Sequence, residues 1–197
     1  MRYNYLCTMI SFNKIFKNSL VLATITLALF FALYLYFSLN GTVSVQDYYI
    51  YSFFTCCFIV LPLFALYCFL SILRVSKAKA KNYQTSEDLM TFKEGFKVGF
   101  YTIFFAGLIS LLVIFIFFNT YGEWLQDELK LWLWNTVTVN PTDPALKKYL
   151  ATNPDSNTYK TLNLFTIKNF FGLFSIFLSF YIAISAIFSQ FLKKRVF

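Results

Sequence analysis

The sequence predicts an all-α fold: a four-helix transmembrane bundle with both termini in the cytoplasm and an amphipathic helix in its outer loop. Its composition is the first reason, since 58% of the 197 residues are hydrophobic and only 13% are charged, too few charges to cover a soluble domain. Four uncharged segments are the second reason, because each is long enough to cross a hydrocarbon core of about 30 Å as a helix. The third is that basic residues concentrate in alternate connections between those segments.

Each uncharged segment is predicted to be one membrane span, and the four spans are residues 19–38, 49–73, 99–118 and 170–190. Their Leu, Ile, Val and Phe residues each favour insertion by about 0.3 to 0.6 kcal/mol, and no charge opposes them. We interpret span 1 as a retained anchor, because its apolar run exceeds the roughly 7 to 15 residues of a signal peptide. The whole chain, 1–197, is then a single integral membrane domain.

The distribution of positive charge predicts the orientation. Both terminal segments and the 74–98 loop together hold 12 of the 17 basic residues, whereas the 39–48 and 119–169 loops hold the other five. The positive-inside rule therefore places both termini and the 74–98 loop in the cytoplasm, and the 119–169 loop outside. This asymmetry also accounts for the net charge of +8. We expect membrane lipid as a partner and no nucleic acid.

The outer loop begins with a segment whose pattern predicts an amphipathic helix along the outer membrane surface. Trp124, Leu125, Leu129 and Trp132 fall near one face of such a helix. Because indole rings prefer the membrane–water interface, Trp124, Trp132 and Trp134 are candidate interface anchors. Docking of the same segment onto a partner subunit is the alternative.

Small residues recur at helical spacing in three of the four spans, which is the pattern that lets membrane helices approach closely. In span 4 the stripe is Gly172, Ser175, Ser179, Ala183 and Ala186. In span 3 it is Gly99, Thr102, Ala106 and Ser110, and span 1 has the shorter series Thr24, Ala28 and Ala32. The residues of spans 3 and 4 are the candidate helix-packing or partner-interface residues, with chance spacing as the alternative.

Two local signals predict helix irregularities and ends. Pro62 removes a backbone donor in the middle of span 2, which predicts a kink near Val60 and Leu61. Thr91 and Glu94 have the spacing of a capping box, so the helix of span 3 is predicted to start at Thr91, inside the cytoplasmic loop.

The residue types that carry most chemistry are missing or scattered. His is absent, which removes His-based triads and His-ligated metal sites. The four cysteines have neither C-x-x-C nor metal spacing and are interpreted as small hydrophobic residues: Cys7, Cys56, Cys57 and Cys68. We therefore predict no catalytic residue, no metal and no cofactor, and we expect that the protein is not an enzyme.

A longer motif surrounds the start of span 3, and shorter ones follow spans 3 and 4. The residues concerned are Thr91-Phe92-Lys93-Glu94-Gly95-Phe96-Lys97-Val98-Gly99, Phe118-Asn119, Ser185-Ala186-Ile187 and Lys193-Lys194. With these motifs and its four spans, the chain resembles a family of bacterial inner-membrane proteins of unknown function, of the type common in the Bacteroidetes. The resemblance implies a multi-pass location in the bacterial cytoplasmic membrane, and it implies no activity.

The sequence favours a non-catalytic accessory or scaffold subunit of a larger membrane protein complex. Transporters and ion pathways usually have ionisable residues at membrane depth, and all four predicted spans lack them. Membrane enzymes usually have clustered His, Asp, Glu or Cys residues near one interface, and the sequence predicts no such cluster. Other membrane protein subunits are therefore the expected partners.

Two other functions stay open. A transporter or channel subunit could use a path between spans 3 and 4 that is lined by Ser110, Ser175 and Ser179. A weaker alternative is an enzyme that acts on lipid through the acidic residues of the outer helix, Glu123, Asp127 and Glu128.

Overall fold

The computed structural model describes residues 2–39, 44–81, 89–139 and 166–194, with side chains for all of these except 2–11 and 133–139. These residues form five helices and no strand. The helices are α1 (Arg2–Leu39), α2 (Val45–Lys81), α3 (Phe92–Phe118), α4 (Glu123–Val139) and α5 (Ile167–Leu192).

Four of the five helices, α1, α2, α3 and α5, are long and apolar enough to cross a membrane. The predicted all-helical architecture is thus confirmed for the described residues, and each predicted span lies within one of these helices. The helices extend beyond the spans; α1, for example, begins at Arg2. An uncharged segment predicts only the part of a helix that can lie in the hydrocarbon core. The helix itself can be longer, because its backbone hydrogen bonds continue into polar flanking residues.

Helix α3 lies at the centre of the bundle and packs against α1, α2 and α5. Two neighbouring rings of α3 meet different helices, because consecutive residues point about 100° apart around a helix. Phe105 makes edge contacts with Phe12 and Phe16 of α1, and Phe104 contacts Phe174 of α5. Helices α1 and α5 therefore lie on different sides of α3.

Helix α2 changes its geometry in the middle of its length. An α-helical part, Val45–Thr55, is followed by a π-helical turn, Cys56–Val60, and then by a second α-helical part, Leu61–Lys81. The backbone N–H of Leu61 donates to the carbonyl of Cys56, five residues back. Pro62 follows at once and has no N–H to donate. A π turn therefore lies directly before Pro62, and the kink expected near Val60 and Leu61 stays a prediction.

The predicted capping box at the start of α3 is confirmed. The Thr91 hydroxyl accepts a hydrogen bond from the backbone N–H of Glu94 at 3.3 Å, and the Glu94 carboxylate accepts one from the N–H of Thr91 at 3.0 Å. The other carboxylate oxygen of Glu94 pairs with the Lys79 ammonium at 2.6 Å. This ion pair joins the end of α2 to the beginning of α3.

Two further hydrogen bonds bring α5 to the same end of the bundle. The Ser76 hydroxyl donates to the carbonyl of Leu192 at 3.1 Å, and the backbone N–H of Lys194 donates to the carbonyl of Met90 at 3.0 Å. The end of α2, the start of α3 and the end of α5 therefore lie together, and α4 lies near the other end of α3.

Candidate functional site

The predicted small-residue stripe of span 3 is buried inside the bundle. Gly99, Thr102, Ala106 and Ser110 are all buried. A methyl group added at Gly99 would lie only 2.7 Å from the Ile72 Cδ1 atom of α2, so a larger residue could be placed there only if side chains of α2 moved. The stripe is thus the surface on which α3 approaches its neighbours closely.

The predicted stripe of span 4 faces away from the rest of the chain. Gly172, Ser175, Ser179 and Ala183 are exposed, and Ala186 is half-buried. The hydroxyl groups of Ser175 and Ser179 donate to carbonyls of their own helix, at 2.8 and 3.0 Å. This set of five residues, the outer stripe of α5, is therefore available to lipid or to another protein.

A different face of α5 packs on the bundle, and sequence reasoning missed it. Its buried residues are Tyr181, Ser185, Ser189 and Leu192. The Tyr181 ring stacks on the Phe64 ring of α2 with centroids 5.5 Å apart, and its hydroxyl lies where a side chain at Gly107 would be. A tyrosine in the middle of a membrane span, followed by serines four and eight residues later, is the signal that could have revealed this face.

Helix α4 packs on the bundle through Leu125, Gln126 and Lys130, which are buried. The Gln126 side chain donates to the carbonyl of Phe118 at 3.3 Å, at the end of α3. Trp124 and Trp132 are 43% and 36% exposed, so these two candidate anchors point partly away from the bundle. The Trp134 side chain lies outside the described residues.

A cavity of about 120 Å³ lies between α1, α2, α3 and α5. All four helices contribute to its wall, which is mainly apolar. The rings of Phe30, Phe64 and Phe177 line it, and the π turn of α2 contributes Cys56 and Val60. None of the described Asp, Glu, Lys or Arg residues lines the cavity. The cavity can therefore hold an uncharged apolar group.

Hydroxyl groups from three helices also line the cavity. The Thr26 hydroxyl of α1 donates to the carbonyl of Leu22 at 2.9 Å, as buried helical threonines commonly do. The Ser110 hydroxyl of α3 is buried and has no hydrogen-bond partner among the described residues. Ser52 of α2 also lines the cavity. The buried hydroxyls of Ser52 and Tyr48 have no hydrogen-bond partner among the described residues.

The residues named for a path between spans 3 and 4 do not meet in this chain. Ser110 lines the cavity, whereas Ser175 and Ser179 lie on the exposed outer stripe of α5. The described residues also include no group of three or more Cys, Asp or Glu side chains arranged to hold a metal ion. Cys56, Cys57 and Cys68 are free, and the Cys68 sulfur lies 3.6 Å from the Ser185 hydroxyl.

The described residues thus define an all-helical architecture with four helices that are long and apolar enough to cross a membrane, packed around an apolar cavity. Residues 17–194 match the family described as protein of unknown function (DUF4199), and the chain belongs to this family. No curated protein and no solved structure matches the chain. The predicted membership of a family of unknown function is thus confirmed, whereas the bacterial origin stays a prediction.

Proposed function

We propose that the protein is a non-catalytic accessory or scaffold subunit of a larger membrane protein complex. The observation that carries this proposal is the outer stripe of α5, whose small residues Gly172, Ser175, Ser179 and Ala183 are exposed in the single chain.

The buried stripe of α3 supports this interpretation by comparison. Lipid tails are as apolar as Leu or Phe, so membrane helices associate mainly where small residues let their backbones approach. Within the chain, two helices approach closely in this way at Gly99 of α3, which lies directly against Ile72 of α2. The outer stripe of α5 offers the same kind of narrow face, since no described residue outside the local helix lies within 4 Å of the Cβ position of Gly172. A helix of another subunit fits there.

We propose the bacterial inner membrane as the location, with both termini in the cytoplasm. The concentration of 12 of the 17 basic residues in the terminal segments and the 74–98 loop supports this orientation. In this orientation α4 lies at the outer surface. The partial exposure of Trp124 and Trp132 supports α4 as an interfacial amphipathic helix.

A transporter or channel subunit is the second candidate, and the cavity is the observation that favours it. Single π turns inside α-helices are frequently found at functional sites. The π turn of α2 contributes to the cavity wall. Such a pathway would pass through the cavity and Ser110, and not along Ser175 and Ser179.

Purification of the tagged protein from native membranes in a mild detergent tests the first candidate. We expect a defined set of membrane subunits to co-purify with the wild-type chain and to be lost in the Ser179→Leu and Ala183→Leu variants. Leu173→Phe is the matched control, because Leu173 is also exposed on α5 but lies about 120° away from Ser179 around the helix.

Two results would contradict the accessory-subunit proposal. One is a chain that always purifies alone; the other is a set of partners that both stripe variants retain. Solute flux through liposomes that contain only the purified chain would instead support the second candidate, provided that Ser110→Leu abolishes the flux.

A further inference from the structure

We propose that the cavity between the four spans binds a small, uncharged, membrane-soluble molecule, an apolar body of about one ring with one hydroxyl oxygen, and that Ser110 recognises this oxygen. The proposal is independent of the accessory-subunit function and concerns a different surface of the molecule.

The size and wall of the cavity set the apolar part of the ligand. Its volume is about 120 Å³, and engineered protein cavities of about 150 Å³ lined by Leu, Ile and Phe stay dry and bind benzene. The rings of Phe30, Phe64 and Phe177 give the wall the same character. A single ring, or an aliphatic group of similar size, therefore suits the space.

The Ser110 hydroxyl sets the polar part. Ser110 is 3% exposed, lines the cavity and has no hydrogen-bond partner among the described residues. Serines and threonines in helices usually donate to the carbonyl four residues back. Thr102 on the same helix does so to Val98 at 2.8 Å, and Ser189 on α5 does so to Ser185 at 2.6 Å. Ser110, which is one of the residues by which α3 borders the cavity, departs from this pattern.

The absence of charge from the cavity wall determines the charge of the ligand. An ion in this apolar space would lose its hydration without gaining an opposite charge. A neutral hydroxyl group can both donate to and accept from Ser110, and it leaves no charge uncompensated.

Direct binding of two probes of equal shape tests the proposal. 4-Fluorophenol and 4-fluorotoluene differ only in a hydroxyl and a methyl group, and both are uncharged at pH 7. Fluorine NMR saturation transfer on the purified full chain in detergent micelles measures the bound fraction of each. We expect 4-fluorophenol to bind about five- to tenfold more tightly than 4-fluorotoluene, the usual effect of one hydrogen bond to a buried group.

Two variants distinguish binding in the cavity from uptake of the probes by the detergent micelle. Ser110→Ala keeps the cavity and removes the hydroxyl, so the two probes should bind with equal affinity. Ser110→Leu fills the cavity and should abolish the saturable binding of both. Ser38→Ala, at an exposed position of α1 that does not line the cavity, is the control and should behave like wild type. If Ser110→Leu does not fold, Ser110→Ala still gives a decisive comparison.

Equal affinity of the wild-type chain for both probes would overturn the proposal, because Ser110 would then recognise nothing. A difference between the probes that persists in Ser110→Ala would also overturn it. The same holds if neither probe shows saturable binding to the wild-type chain.

Discussion

The hydroxyl group of Tyr181 on α5 occupies the space beside Gly107 on α3, where a side chain would otherwise lie. The Tyr181 ring also stacks on Phe64 of α2, so one residue contacts two neighbouring helices at the edge of the cavity. Helices α3 and α5 can approach this closely only because position 107 has no side chain. The contact therefore determines which face of α5 turns inward and which face remains exposed.

A methyl group at Gly107 should destabilise the bundle. Gly107→Ala forces Tyr181 to move, and overpacking of this kind costs about 1 to 3 kcal/mol. Gly172→Ala is the matched control, because nothing lies within 4 Å of its Cβ position. Unfolding of the purified protein in mixed micelles measures both changes. Equal stability of the two variants would mean that α3 and α5 do not pack at Gly107.

The two faces of α5 should respond differently to the same substitution. Ser185 and Ser189 are buried, so Ser185→Leu and Ser189→Leu should each lower the free energy of unfolding by about 1 to 3 kcal/mol. Ser179→Leu, on the exposed outer stripe, should change it by less than about 0.5 kcal/mol. The same unfolding assay on the isolated chain measures these values. A large loss in Ser179→Leu would show that the outer stripe packs within the chain.

The capping box of Thr91 and Glu94 should contribute more to the free energy of unfolding than the ion pair between Glu94 and Lys79. Glu94→Ala removes a capping partner of Thr91 together with the contact to Lys79, and the loss of a cap costs about 0.5 to 2 kcal/mol. Lys79→Met removes only the ion pair, which is about 35 to 43% exposed and is worth less than about 1 kcal/mol. Glu94→Gln, which can still cap, should lie between them. A larger effect of Lys79→Met than of Glu94→Ala would contradict this order.

The exposed tryptophans of α4 should lie at the level of the lipid headgroups. In single-tryptophan variants reconstituted into vesicles, the fluorescence of Trp124 and Trp132 should be quenched more by lipids brominated near the headgroup than by lipids brominated near the chain end. If neither kind of lipid quenches them and a co-purified subunit shields them, docking onto a partner would replace interfacial anchoring.

The spans could be predicted from the sequence because lipid imposes a simple requirement, about 20 uncharged residues for each crossing. The cap at Thr91 was equally predictable, since Thr91 and Glu94 satisfy each other's backbone donors locally. Pro62 predicted a kink near Val60 and Leu61 but not the π turn at Cys56–Val60, because a missing N–H does not specify how the preceding turn rearranges.

Which side of each helix packs inside the bundle could not be predicted in the same way. The spacing of small residues identifies a narrow helix face but not what covers it, so the stripes of spans 3 and 4 looked alike. The contacts of Tyr181 with Gly107 and of Ser185 with Cys68 distinguish them, because they place this face of α5 inward and Ser179 outward. The cavity was also hidden in the sequence, because it results from residues of four different helices.

In the topology proposed above, the chain crosses the membrane four times, and the 74–98 loop and the long 119–169 loop lie on opposite sides. The most direct test is the labelling of Ser86→Cys and Ser156→Cys, each in a chain whose four native cysteines have been replaced, with a membrane-impermeant maleimide. We predict that Ser156→Cys is labelled on intact cells, whereas Ser86→Cys is labelled only after the membrane is opened. Labelling of both positions on intact cells, or of Ser86→Cys alone, would show that the proposed topology is wrong.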